Sequence, residues 1–441
     1  MLSRARYFVS DAFAWLAERR WGAAAAAALL AIAAAGVVGY LIATDSDDES
    51  TPAPAPRVLV REVPGGEALE ELGFPAFATA NTTRVAGSDA TTAAAAVALA
   101  TYPSTGGVPG PAAVALVDVA DWSSGIAAAS LVAAPIGAPI LVTDAGEVPE
   151  LTASAVDALA PAGSSETDGR QAFRIGEAAE PEGLETMEIE GRDPAELAAR
   201  IELARARLAG EPQHVVLASS EEPAFAMPAA GWAARSGDPV LFVERDSVPA
   251  PTLEALRRYR DVPVYVLGPE SVASAEAMKA VREVAPNAVR VAGPDPVSNA
   301  IAFARFADGS FGWNINDPGH GLVVANTSRP LDAAAAAPLS AGGTWGPLLL
   351  SDDPAAIPPE LRQYLLDLKP GYEDDPTRAV YNHAWLIGDA SALSVGFQAH
   401  VDELIELAPI RSGTGAAALG PSPGTTRPNR GAGDGGAGGG D

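Results

Sequence analysis

Three stretches of about one hundred residues carry the same landmarks in the same order, so each stretch must fold as one recurring supersecondary unit. Residues 84–89 read R-V-A-G-S-D, residues 290–295 read R-V-A-G-P-D, and residues 188–193 carry a weaker version, E-I-E-G-R-D. The glycines Gly87, Gly191 and Gly293 are spaced by 104 and then 102 residues. A helix-like, alanine-rich stretch follows each of them, at 90–100, 194–208 and 296–307.

The order then continues in parallel. An apolar strand comes next, at 112–119, 214–220 and 321–327, followed by a second alanine-rich helix. A strand led by proline follows, with Pro139, Pro239 and Pro347 at matching places. A proline turn opens an amphipathic helix, where the missing N–H of proline would be unpaired in any case. Each unit closes on a strand ending in glycine, F-R-I-G, V-Y-V-L-G or W-L-I-G. Short, wholly apolar strands alternating with helices predict parallel sheets covered on both faces. The fold class expected is α/β, with three tandem Rossmann-like open-sheet modules at 76–185, 186–287 and 288–411. Asp45 to Pro56 reads as an acidic and then Pro-rich spacer within a linker over 44–75, and the Gly/Pro-rich residues 412–441 read as a disordered tail.

The pattern R-x-x-G-x-D, helix, V-V-L-A-S, helix, proline-led strand, proline turn, helix, V-x-x-L-G resembles the cell wall-binding repeat 2 family. The likeness covers roughly residues 80–411, and its specificity comes from the order and the tripling. Of the strings common in that family, Asp89 and Thr92 are kept after Gly87, Asp295 after Gly293, and an Asp-Ala-Ala at Asp332. The resemblance implies modules packed about a pseudo-threefold axis and non-covalent attachment to an anionic wall polymer of Gram-positive bacteria.

Before the repeats, Gly22 to Ala43 form 22 residues without a charge. At about 1.5 Å per residue they would reach roughly 33 Å, enough for one bilayer crossing. Arg4, Arg6, Arg19 and Arg20 precede the run, while Asp45, Asp47, Asp48 and Glu49 follow it. The positive-inside rule therefore places residues 1–21 in the cytoplasm and the repeats outside. A cleaved signal peptide is the competing reading of the same stretch.

Composition removes several functions. The 441 residues carry a net charge of −27, which argues against nucleic acid as a partner. There is no cysteine, so no disulfide, thiolate metal site or cysteine nucleophile can exist. The alanine excess, with arginine far above lysine, reads first as a GC-rich genome. The histidines His214, His320, His383 and His400 are scattered, with no H-E-x-x-H. No G-x-S-x-G elbow or phosphate-binding glycine loop follows an expected strand. Neither a cofactor nor a metal is expected.

Asp89, Asp193 and Asp295 each stand between a strand-end glycine and a helix, so each reads as an N-cap. Open parallel sheets also bind ligands at the carboxyl ends of their strands. On that basis one crevice per module is expected, grouping Asp89 with Ser123 and Ser124, Asp193 with Glu221 and Glu222, and Asp295 with Arg329 and Asp332. The candidate ligand-binding residues are Asp295, Arg329, Asp332, Asp89 and Trp313, with unit three contributing most. Arg84 and Arg290, at matching repeat positions, are expected to pair with carboxylates across module interfaces, the alternative being that they face an acidic polymer.

These readings together give a membrane-anchored, non-enzymatic envelope protein that binds wall glycopolymer or a neighbouring surface protein. A receptor for a small extracellular solute is the alternative, and a wall-modifying enzyme with a site too irregular to recognise is the third. The topology is testable directly. Protease added to intact, wall-stripped cells should digest the C-terminal tail, and a tail protected until lysis would refute the assignment.

Overall fold

The computed structural model describes residues 77–85, 87–102, 110–144, 146–342 and 345–410. The expected membrane span at Gly22–Ala43, the linker over 44–75 and the tail over 412–441 lie outside the described residues. Among the described residues no helix is long and apolar enough to cross a membrane.

The first unit contributes β1 (Phe77–Ala78), β2 (Thr82–Val85), α1 (Ala90–Thr101), β3 (Val114–Asp118), α2 (Trp122–Ala128), β4 (Ile140–Thr143), α3 (Glu150–Leu159) and β5 (Ala172–Ile175). The second contributes β6 (Thr186–Ile189), α4 (Pro194–Ala209), β7 (Val215–Ser219), α5 (Pro223–Ser236), β8 (Val240–Val243), α6 (Ala250–Arg258), β9 (Val264–Leu267) and α7 (Ala275–Val284). The third contributes β10 (Val289–Val291), α8 (Pro296–Arg305), β11 (Gly321–Asn326), α9 (Leu331–Ala341), β12 (Leu348–Ser351), α10 (Pro359–Asp367), β13 (Gly371–Tyr372), β14 (His383–Ile387), α11 (Val395–Ile405) and β15 (Ala408–Pro409).

The main sheets run β4-β3-β5-β6, β10-β9-β7-β8 and β1-β2-β14-β11-β12. Apart from the short antiparallel β1, all their strands pair in parallel. The central strands β3, β7 and β11 are buried at every residue, which is why they are written in Val, Ala and Leu without alternation. This is the α/β architecture of parallel-sheet modules that the repeats predict.

The matching positions agree atom by atom. The carbonyls of Pro139, Pro239 and Pro347 accept from the N–H of Ala115, Val216 and Val323, setting the same register between central and edge strand each time. Gly87, Gly191 and Gly293 share one role as well. A Cβ at any of them would lie within 3.0 Å of backbone in the first turn of the following helix. Glycine lets that turn fold back over its own strand. The capping expectation also holds: Asp89, Asp193 and Asp295 accept from the N–H of Thr92, Glu196 and Ser298, each at 2.8 Å.

One feature of the topology departs from three self-contained modules. The first strand of each unit hydrogen-bonds into the sheet of another: β6 joins the first sheet, β10 the second, and β2 the third. The donation is cyclic, because β2 pairs in parallel with β14, Thr83 opposite Trp385 and Arg84 opposite Leu386.

Arg84 and Arg290 fasten these seams by donating to backbone carbonyls. Arg84 is 2% exposed. It donates to the carbonyls of Gly388, Asp389 and Ser394 at 2.8, 2.9 and 3.3 Å and to Gln398 Oε1 at 3.0 Å. Burial lowers its pKa to about 10, with Asp389 opposing the shift. Arg290 donates to the carbonyls of Gly268 and Ala273 in the corresponding loop. The second unit has Glu188 at this position, and the arginine comes instead from the adjacent strand. Arg174, directly opposite Glu188 in register, donates to the carbonyls of Gly176 and Ala178 and pairs with Glu188 at 3.3 Å. The weakest copy of the motif thus keeps the clasp by exchanging the two partners' positions.

Hydrogen bonds to a charged donor contribute about 1.5–3 kcal/mol each, and Arg84 makes four of them, to three carbonyls and Gln398 Oε1. Arg84→Ala should therefore lower unfolding stability by at least about 3 kcal/mol, read from urea denaturation. A loss below about 1 kcal/mol would show that the seam does not depend on this side chain.

Candidate functional site

The cyclic strand exchange decides which polar residues meet. Because β2 lies beside β14 and next but one to β11, the loop after β2 faces the loop after β11. Asp89 therefore stands with Arg329 and Asp332, whereas Ser123 and Ser124 bond to Asp121 and do not line the cleft. These three line a cleft of about 440 Å³ together with Ser88, Trp122 and Ser391. Asp295 follows β10, belongs to the second sheet and is absent from this lining. The grouping expected from the sequence is displaced by one unit, since each helix-capping aspartate travels with the strand before it.

Arg329 is the centre of the cleft. Its Nε lies 2.7 Å from Asp332 Oδ2, and its Nη2 donates to Asp332 Oδ1 at 3.2 Å. The Nε contact is an ion contact without an aligned N–H direction, leaving Oδ2 with no hydrogen bond. Arg329 also donates to the carbonyls of Ser88 and Gly87, at 3.2 and 3.3 Å, and so ties the third unit to the first. Its donors are already engaged, and an anionic ligand would have to share them.

Three carboxylates surround this single cation, and burial sorts them. Asp332 is 1% exposed; burial pushes its carboxyl from 3.8 up to about 6, although Arg329 pulls it down. Burial also acts on Asp89 in that sense, but hydrogen bonds from Thr92 and Ser88, with Arg329 nearby, prevail and hold it below the usual carboxylate range. The Ser391 hydroxyl lowers Asp389 in the same way, helped by the backbone N–H groups of Ser391 and Ala392 and by Arg329. The cleft wall thus carries one ionised carboxylate, Asp89, and a second, Asp389, acts on the same arginine beside Ser391. The sequence signal for Asp389 and Ser391 is the loop G-D-A-S-A-L-S (388–394), which repeats G-P-E-S-V-A-S (268–274).

Trp313 lies elsewhere. It is 5% exposed and packs edge-on against Trp232 and stacked on Trp345, with ring centroids 5.5 and 6.1 Å away. With them it lines a second cleft of about 350 Å³. Among the described residues no group of three or more His, Asp or Glu side chains could hold a metal ion.

A carboxyl with a raised folded-state pKa stabilises the fold below the unfolded value and loses that contribution as pH rises through the folded one. For Asp332 the window runs from about pH 4 to just above 6. Relative to Asp332→Asn, wild type should lose on the order of 3 kcal/mol between pH 4 and pH 7. Denaturation curves of both proteins across that range measure it, and a constant difference would contradict the burial argument.

No family model and no curated protein matches the sequence. Solved structures do match. The chain is similar to Cwp6 from Clostridium difficile, with a TM-score of 0.54 and 16% identity over 73% of this chain. It is also similar to Cwp8 from Clostridium difficile, with a TM-score of 0.57 and 18% identity over 74% of this chain. It spans about half the length of those two chains, 48% and 52% respectively. At such identity the likeness establishes a shared fold.

Proposed function

We propose that this chain is a cell-envelope protein that attaches non-covalently to wall glycopolymer or a neighbouring surface protein through its strand-end crevices. The observation that carries this reading is the crevice where the loops after β2 and β11 meet. It lies at the carboxyl ends of parallel strands, where open α/β sheets take ligands, and it joins the first and third units. The repeat's resemblance to the cell wall-binding repeat 2 family supports the wall as the setting, and the fold shared with Cwp6 and Cwp8 agrees with it.

Electrostatics narrows the ligand. Asp89 and Asp389 are held ionised while Arg329 is engaged with Asp332 and two carbonyls. Such a mouth accepts hydroxyl and ammonium donors and opposes phosphate, so the portion of polymer it grips is neutral or amino-bearing. Trp122, half-buried beside it, offers an aromatic face for a sugar ring. Asp332 holds Arg329, Arg329 holds the loop that carries Asp89, and Ser391 holds Asp389, an arrangement for holding a ligand rather than transforming it. In this reading Gly22–Ala43 anchors the chain in the cytoplasmic membrane, with the repeats facing the wall.

Sedimentation with purified wall sacculi tests the proposal. The wild-type protein should pellet with them. Asp89→Asn keeps the capping hydrogen bond but removes the charge, and should weaken retention about tenfold, the loss expected for one charge-assisted hydrogen bond. A wild-type protein that stays in the supernatant, or melts higher only with small solutes, would overturn wall attachment.

A further inference from the structure

The cleft beside Trp313 brings together a serine, a histidine and an aspartate from distant parts of the chain. Asp238, 2% exposed, sits at its base. Its Oδ2 accepts from Trp232 Nε1 at 2.9 Å and lies 3.0 Å from His214 Nδ1, while Oδ1 accepts from the His214 backbone N–H at 3.0 Å. An ionised carboxylate can only accept, so it fixes the proton on Nδ1 and leaves a lone pair on Nε2. That Nε2 lies 3.1 Å from Ser310 Oγ. His214 is 6% exposed and edged by Phe311, 5.4 Å between ring centroids.

Ser310 is held in place by its turn. Asp308 and Phe311 exchange backbone hydrogen bonds at 2.8 and 3.0 Å around Gly309 and Ser310, with Gly309 at φ +62°. Phe311, 1% exposed, stacks on Tyr265 at 3.6 Å, and the Tyr265 hydroxyl donates to Asp308 Oδ2 at 3.0 Å. The serine itself stays open to solvent. Trp313, which lines the same cleft as Ser310, has a buried Nε1 donor with no hydrogen-bond partner.

We propose that Ser310, His214 and Asp238 act as nucleophile, base and orienting carboxylate in hydrolysing a small carboxylic ester bound in this cleft. Ser310 Oγ bonds to the ester carbonyl carbon as His214 Nε2 takes its proton. The bond from that carbon to the alcohol oxygen breaks, and the departing oxygen receives the proton from His214. Water then gives a proton to His214 and bonds to the acyl carbon; the bond to Ser310 breaks, Ser310 recovers the proton, and the acid leaves. Trp313 Nε1 is the donor that meets the carbonyl oxygen as it gains charge. This centre is separate from the attachment crevice, and a triad is recognised by geometry rather than by sequence position.

The full-length protein treated with a fluorophosphonate probe should carry the label on Ser310, located by peptide mass, and should hydrolyse p-nitrophenyl acetate. Ser310→Ala, at an exposed turn position, should melt like wild type yet lose the label and at least about a hundredfold in hydrolysis. Trp313→Phe, which keeps an aromatic ring but removes the N–H, should lower kcat about a hundredfold. Absence of label at Ser310 in wild type, or equal turnover by Ser310→Ala, would overturn the assignment. Neither result bears on whether the protein pellets with sacculi.

Discussion

Thr82–Val85 hydrogen-bond to a strand some three hundred residues later, and the integrity of the third sheet rests on that pairing. Arg84 reinforces it from inside, through the carbonyls of Gly388, Asp389 and Ser394. The same relation recurs at the other two seams, so no unit possesses a whole sheet of its own. The three units are consequently coupled. Loosening one seam strips an edge strand from one sheet and removes a helix cap from the crevice beside it. The attachment crevice exists only because Asp89 is carried across on β2 to face Arg329.

Alanine composition acquires a structural meaning here. The helices that follow the central strands, α2, α5 and α9, pack against one another in the interior, and α9 also packs on α1. Their facing residues are small. A Cβ at Gly125 would stand 2.6 Å from Leu331 Cδ1 and 2.9 Å from Ala334 Cβ, and one at Gly231 would be 3.0 Å from Ser340 Oγ. Small side chains let helix backbones approach closely, and dense packing in a protein interior penalises even one added methyl group. Alanine at 333–337 is fully buried, so what reads in the sequence as genomic bias is also a packing requirement.

Much of the fold is legible because backbone geometry selects particular residues. Gly87, Gly191 and Gly293 are needed where a helix folds back on its strand, and Pro139, Pro239 and Pro347 open the edge strands, so both kinds of landmark survive divergence. The exchange of first strands is not legible, since an apolar strand such as V-R-V pairs equally well with either neighbour and the choice is tertiary. That one ambiguity separated Asp89 from Arg329 and Asp332 and joined Asp295 to them instead. The divergent middle unit hid its clasp for a different reason: Arg174 and Glu188 are opposite in space but on separate strands. Trp313 could be noticed as an aromatic loop residue. The grouping of His214 with Asp238 and Ser310 could not, because separations of 24 and 96 residues leave no local spacing to recognise.

The ring of exchanged strands also bears on the order in which the protein can be made. At a synthesis rate of roughly 5–20 residues per second, β2 exists for about 15–60 s before its partner β14 is produced. The first and second sheets can close as their edge strands emerge, since β6 and β10 follow directly on the sheets they complete. The third cannot, and over that interval β2, paired on one side by the short β1, keeps the edge meant for β14 open, protected mainly by its brevity and its threonines and arginine. A late event of assembly is thus the capture of β2 by β14, and it completes the attachment crevice in the same step.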